Sequence, residues 1–126
     1  MIGEQNIQKN TNRYLIIRTS WLYSEYGNNF YKMILKKAET EKMIRVTDQQ
    51  KGCPTDANNL AKFIINKILL DTIETGIQHF TDGEAMTWYD FAKKILKSNG
   101  LEKKVKLIKD SNYRTFARRP INSILT

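Results

Sequence analysis

The chain has 126 residues, 40% hydrophobic and 27% charged, the composition of a single globular domain with enough apolar material for a core and too much for a disordered segment. No apolar run reaches membrane-spanning length and the N-terminal residues lack a signal-peptide pattern, so the expected location is the cytoplasm, with no membrane partner. One cysteine and one histidine exclude an internal disulfide and a Cys/His zinc site. The 21 Lys and Arg outnumber the 13 Asp and Glu for a net charge of +8, which favours an anionic partner. The lysines are scattered over Lys36, Lys37, Lys93, Lys94, Lys97 and the run from Lys103 to Lys109, a distribution that suits solvated helix faces rather than a nucleic-acid footprint.

In chain order, residues 2–10 read as the tail of a helix that has lost its beginning, and this suggests a fragment. Arg13 to Arg18 follows as a strand whose Tyr-Leu-Ile-Ile run suits burial on both faces, as in a parallel sheet. The stretch Arg18 to Phe30 then joins that strand to a helix. It holds Trp21 and Tyr23, with flat faces for a ring, and Asn28 and Asn29, with amide donors and acceptors. In α/β proteins ligands bind in such loops at the carboxyl ends of strands. The same residues equally describe a buried Trp and Tyr closing the end of a sheet.

From Asn29 to Lys42, Phe30, Met33, Ile34 and Ala38 recur at helical spacing opposite lysines. Met43 to Thr47 alternates as a half-exposed strand. Asp48 to Asp56 is dense in turn formers, with Gly52 expected to permit unusual backbone angles and Pro54 holding Cys53 extended. Thr55 or Asp56 caps a helix from Ala57 to Leu70 whose stripe of Leu60, Ala61, Ile64, Ile65, Ile68 and Leu69 predicts deep burial. Gly76 to Thr81 is a short strand in which the lone His79 has a structural role. Thr87 caps a helix from Trp88 to Ser98 that Asn99 and Gly100 stop, with Trp88 and Tyr89 stapling it to the core. Val105 to Ile108 is a further strand, and the tail Tyr113 to Leu125 is expected to be ordered by Phe116, Ile121 and Leu125.

The best anion site is Arg118 with Arg119, directed by Pro120, since a guanidinium grips a pair of phosphate oxygens. An inert surface pair fits as well. No glycine-rich phosphate loop follows a strand. Tyr89 and Lys93 have Tyr-x-x-x-Lys spacing, but on a helix whose lysine faces outward, so no catalytic centre is evident.

Taken together, Ile-Arg-Thr-Ser-Trp-Leu-Tyr at 17–23, Gly-Asn-Asn-Phe at 27–30, Asp-Gln at 48–49 with Gly52, Pro54 and Thr55, Thr-Trp-Tyr at 87–89 and Ala-Arg-Arg-Pro-Ile-Asn-Ser at 117–123 resemble the C-terminal part of the dTDP-4-dehydrorhamnose reductases, which are extended short-chain dehydrogenases/reductases. The resemblance implies an α/β fold, the C-terminal part of a Rossmann-type reductase. Residues 1–24 would be the last helix and strand of the NADP-binding domain, and residues 25–126 the small mixed α/β substrate-binding lobe. Gly3 and Glu4 match a pair that follows the family's Tyr-x-x-x-Lys, which places the catalytic tyrosine and lysine upstream of Met1.

It further implies that in the intact protein NADPH, held by the missing N-terminal domain, delivers hydride to a sugar C4 carbonyl that the tyrosine protonates. This chain would supply contacts to a dTDP-sugar: Trp21 against the sugar, Asn28 and Asn29 on sugar or diphosphate, and Arg119 backed by Arg118 on the diphosphate. Neither a catalytic residue nor a metal is expected within it. Alone it would be inactive, and its uncovered apolar surface gives a route to a homodimer. Cys53 stands where the family has a small residue. The regulatory subunits of methionine adenosyltransferase share several of these motifs and are a non-catalytic alternative, and a small basic nucleic-acid-binding domain is a second.

Overall fold

Two capped helices carry the core. Asn29 opens α2 (Phe30–Thr40) by accepting from the Lys32 backbone N–H at 3.0 Å. Thr87 opens α4 (Trp88–Ser98) through a capping box with Asp90, each side chain satisfying the other's backbone donor. The computed structural model describes residues 1–71, 74–112 and 114–125. It packs both helices on a parallel pair, β3 (Met43–Val46) and β8 (Lys106–Lys109). The alternation expected for β3 is present, with Ile44 and Val46 buried and Met43 and Arg45 exposed. These inward residues meet Ile34 and Ala38 of α2, Phe91, Ala92, Ile95 and Leu96 of α4, and Val105. Gly100, at φ +67, lets the chain leave α4 in the left-handed conformation that other residues adopt at a cost.

A second parallel pair joins β1 (Leu15–Arg18) to β6 (Gly76–His79), with Leu15 opposite Gly76 and Arg18 opposite His79. All four residues of β1 are half-buried, not buried on both faces as the apolar run predicts, because among the described residues only β6 pairs with it. Helix α1 (Ile2–Asn10) buries no side chain and is tied on by Glu4, which accepts from Arg18 Nε at 2.9 Å and Nη2 at 2.7 Å. Short pairs complete the fold. In one, β2 (Leu22–Tyr23) runs parallel to β5 (Thr55–Asp56); in the other, β4 (Lys51–Gly52) runs antiparallel to β7 (Met86–Thr87).

Helix α3 (Ala57–Leu69), capped by Asp56, departs most from expectation: it has no buried residue. Ile65, Ile68 and Leu69 are more than half exposed, Leu69 at 75%. The apolar stripe is real, but a stripe specifies which face seeks cover and not what supplies it. Phe63 stacks on Phe80 at 4.6 Å, and the stripe runs on to exposed Leu70.

Candidate functional site

The chain between β1 and α2 makes a strained bend at Trp21, whose φ of 48° is left-handed. For a bulky residue that conformation costs about 1–2 kcal/mol and persists only where surroundings enforce it. The Trp21 carbonyl accepts from Thr55 N–H at 3.1 Å, and its indole stacks on Trp88 with ring centroids 3.5 Å apart and planes 6° from parallel. A Cβ at position 52 would lie 2.3 Å from Trp21 Cε2, 2.6 Å from Nε1 and 2.7 Å from Cζ2. A point nearer the middle atom than its two bonded neighbours sits above the ring, not at its edge. Trp88 fills the space on its own side, so Gly52 covers the opposite face. Trp21 therefore has no free face for a ligand ring, contrary to the sequence reading, and presents its edge. Gly52 is needed for room and not for a left-handed backbone.

The stack continues outward. Trp88 lies 4.5 Å from Phe30, and Trp88 Nε1 donates to Gln50 Oε1 at 3.1 Å. This aromatic wall borders a cavity of about 520 Å³. Its apolar lining includes Phe30, Met33 and Pro120, over the buried Ile34, Ile44 and Val46, and three cations reach it, Lys37 from α2, Arg45 from β3 and Arg119 from the tail. Among the described residues no carboxylate lines it. A cavity with aromatic and aliphatic walls, convergent cations and no acid suits an anion that carries an apolar or aromatic body.

The tail closes one side through Thr115, Arg119, Pro120 and Ser123. Of the apolar residues expected to order it, Phe116 and Ile121 are exposed and only Leu125 is half-buried. Backbone pairing also holds it, with Lys51 N–H donating to Ile121 O at 2.8 Å, and Ser123 N–H and Oγ donating to Lys51 O at 2.9 and 3.1 Å. Tyr113, part of that expectation, lies outside the described residues.

Of the five residues singled out from sequence, the cavity brings together Trp21 and Arg119. Arg118 is exposed and does not line it, and neither does exposed Asn28. The Asn29 amide is spent on the loop, donating to the carbonyls of Ser24 and Tyr26 at 2.8 and 3.1 Å while its oxygen caps α2. Trp88, Gln50, Lys37 and Arg45 were not foreseen as cavity residues. For Lys37 and Arg45 a signal existed, since each stands beside a core position, Ala38 for one and Ile44 and Val46 for the other. Elsewhere, burial pushes the Tyr23 hydroxyl above its ordinary value, helped by Asp56 and Asp82.

The whole chain, residues 1–126, matches the model of the RmlD substrate binding domain. It belongs to that family. The relatives of this RmlD substrate-binding domain agree. Spore coat polysaccharide biosynthesis protein SpsK of Bacillus subtilis is 36% identical over 125 residues, 99% of this chain and 43% of that protein. The dTDP-4-dehydrorhamnose reductase of Aggregatibacter actinomycetemcomitans is 36% identical over 136 residues, 98% of this chain and 45% of that protein. Among solved structures, the dTDP-4-dehydrorhamnose reductase from Bacillus anthracis in complex with NADP superposes with a TM-score of 0.87 at 38% identity, covering 98% of this chain and 43% of that one. The one from Clostridium acetobutylicum gives 0.86 at 33%, with the same coverage. The chain thus spans less than half the length of these relatives, and its α/β fold is that of the corresponding part of the reductases.

The single glycine between β2 and α2, Gly27, is exposed, and the helix that follows is already capped by Asn29, so no glycine-rich cradle faces a helix N-terminus there. Among the described residues no three His, Cys, Asp or Glu side chains are grouped to hold a metal ion, and no helix is long and apolar enough to cross a membrane.

Proposed function

We propose that this chain is the substrate-binding portion of a dTDP-4-dehydrorhamnose reductase, and that its 520 Å³ cavity takes the dTDP-sugar. The observation that carries the reading is the lining: among the described residues, three cations with no carboxylate, beside an aromatic wall and the apolar Met33 and Pro120. Arg119 is the main diphosphate contact, with Arg118 adding charge at the exposed rim, and Lys37 and Arg45 share the anionic load. Met33 and Phe30 receive the base. Trp21 contacts the sugar through its edge, exposed Asn28 can reach sugar or diphosphate, and Asn29 acts by holding the loop.

In the intact protein, residues 1–24 belong to the NADP-binding domain and residues 25–126 to the substrate lobe. NADPH, bound outside the residues described here, serves as the hydride source, and this chain alone has no reductase activity. The uncovered α3 stripe and half-buried β1 support the division, since both expose apolar surface that a neighbouring domain, or failing that a second copy in a homodimer, would cover. No nucleic acid is required as partner. Calorimetric titration with dTDP-rhamnose and dTDP tests the reading: saturable binding weakened by Trp21→Ala and by Arg119→Ala is expected. Binding by both variants as strong as that of the unaltered chain would overturn the site, and turnover of a dTDP-sugar by the chain alone would overturn the division.

A further inference from the structure

Trp21 is held in a left-handed backbone conformation with both indole faces covered, by Trp88 at 3.5 Å and by Gly52. Trp88 is itself fixed from two sides, by its Nε1 donating to Gln50 Oε1 at 3.1 Å and by Phe30 against its ring at 4.5 Å. In contrast, no hydrogen bond within the described residues engages the Trp21 indole N–H. One indole is thus anchored and spends its donor internally, while the other is anchored by the first and keeps its donor.

We propose that Trp88 is a positioning residue which, with Gly52, clamps Trp21 so that its indole edge and N–H, and not its face, meet the ligand. Gln50 sets Trp88 and Trp88 sets Trp21, so specificity in the cavity depends on a chain of contacts that begins in the loop before β4. The clamp leaves Trp21 a hydrogen-bond donor to a ligand oxygen and forbids ring stacking on it without displacement of Trp88. The proposal rests on the dTDP-sugar reading for the identity of the ligand but not for the existence of the clamp.

Trp21 and Trp88 are the only two tryptophans, so the circular dichroism of the chain should carry an exciton couplet that no other tryptophan pair can produce. Gly52→Ala, whose methyl group invades the Trp21 ring, and Trp88→Leu should abolish it. Gln50→Leu, which removes only the acceptor for the Trp88 N–H, should diminish it in a chain that keeps its fold. Full persistence of the couplet in Gly52→Ala or in Trp88→Leu overturns the clamp.

The positioning role is read by dTDP-rhamnose affinity. Trp88→Phe, which keeps a ring against Trp21, should bind close to the unaltered chain, whereas Trp88→Leu should lose about tenfold. Equal affinity in these two variants, both with cooperative thermal unfolding, overturns the role. An unaltered chain that shows the couplet but binds no dTDP-rhamnose would sink the ligand assignment instead, and the couplet series would still decide the clamp.

Discussion

Gly52 lies against the Trp21 indole so closely that a Cβ there would stand 2.3 Å from Cε2. No rotation of a methyl group relieves such a contact, and the far side of the indole is closed by Trp88. Gly52→Ala is expected to destabilise the chain by about 1–3 kcal/mol, the usual cost of forcing volume into a packed site. Urea unfolding monitored by circular dichroism measures it, and an unchanged midpoint would contradict the close approach.

Trp21→Phe separates edge from face recognition. Phenylalanine preserves a flat ring but no N–H, so the variant should lose ligand affinity by roughly fivefold or more, in line with one hydrogen bond of about 1 kcal/mol. Retained affinity in calorimetry would mean that the ring, and not its donor, is what the ligand meets.

Arg18 gives two hydrogen bonds to Glu4, and these hold the Glu4 carboxyl below its ordinary value. Because the folded value is the lower one, the contribution is present above the ordinary value of 4.5 and is lost as pH falls through the folded value. Thermal melts taken downward from pH 6 should therefore show a steeper fall for the unaltered chain than for Glu4→Gln. Parallel curves would mean that the pair does not fasten α1 to β1.

Two isoleucines of similar helical spacing should behave in opposite ways. Ile34 is fully buried between α2, α4 and β3, and Ile34→Ala should cost about 2–5 kcal/mol. Ile68, 60% exposed on α3, should tolerate Ile68→Ala within about 0.5 kcal/mol. A large cost at Ile68 in denaturant unfolding would mean that the α3 stripe is covered in solution, and concentration dependence of that cost would identify a second copy as the cover.

Local signals in the sequence carried most of the fold. The caps at Asn29, Asp56 and Thr87, the alternation of β3 and the stop at Gly100 all lie within a few residues of the structure they determine. What local pattern could not carry was cover. The stripe of α3 and the apolar run of β1 have the composition of buried elements, yet little within the described residues packs on them. The same gap appears at the site. Trp21 and Arg119 were legible as an aromatic in a strand-to-helix loop and a guanidinium before proline. The covering of both Trp21 faces depends on Gly52 and Trp88, residues 31 and 67 positions away in the chain, and no periodicity reports such meetings. The tail was expected to be ordered by Phe116, Ile121 and Leu125, of which only Leu125 is half-buried; Lys51 also pairs with Ile121 and Ser123 through the backbone, which side-chain hydropathy does not reveal.

In the proposed function the cavity beside Trp21 and Trp88 binds a nucleotide diphosphate through Arg119. Both tryptophans line that cavity, so titration of intrinsic fluorescence with dTDP reads it directly. The account predicts a saturable change in the unaltered chain and a loss of roughly tenfold or more in affinity for Arg119→Ala, the scale of a hydrogen bond to a charged group. A fluorescence change that saturates at the same dTDP concentration in both, or none in either, would contradict it.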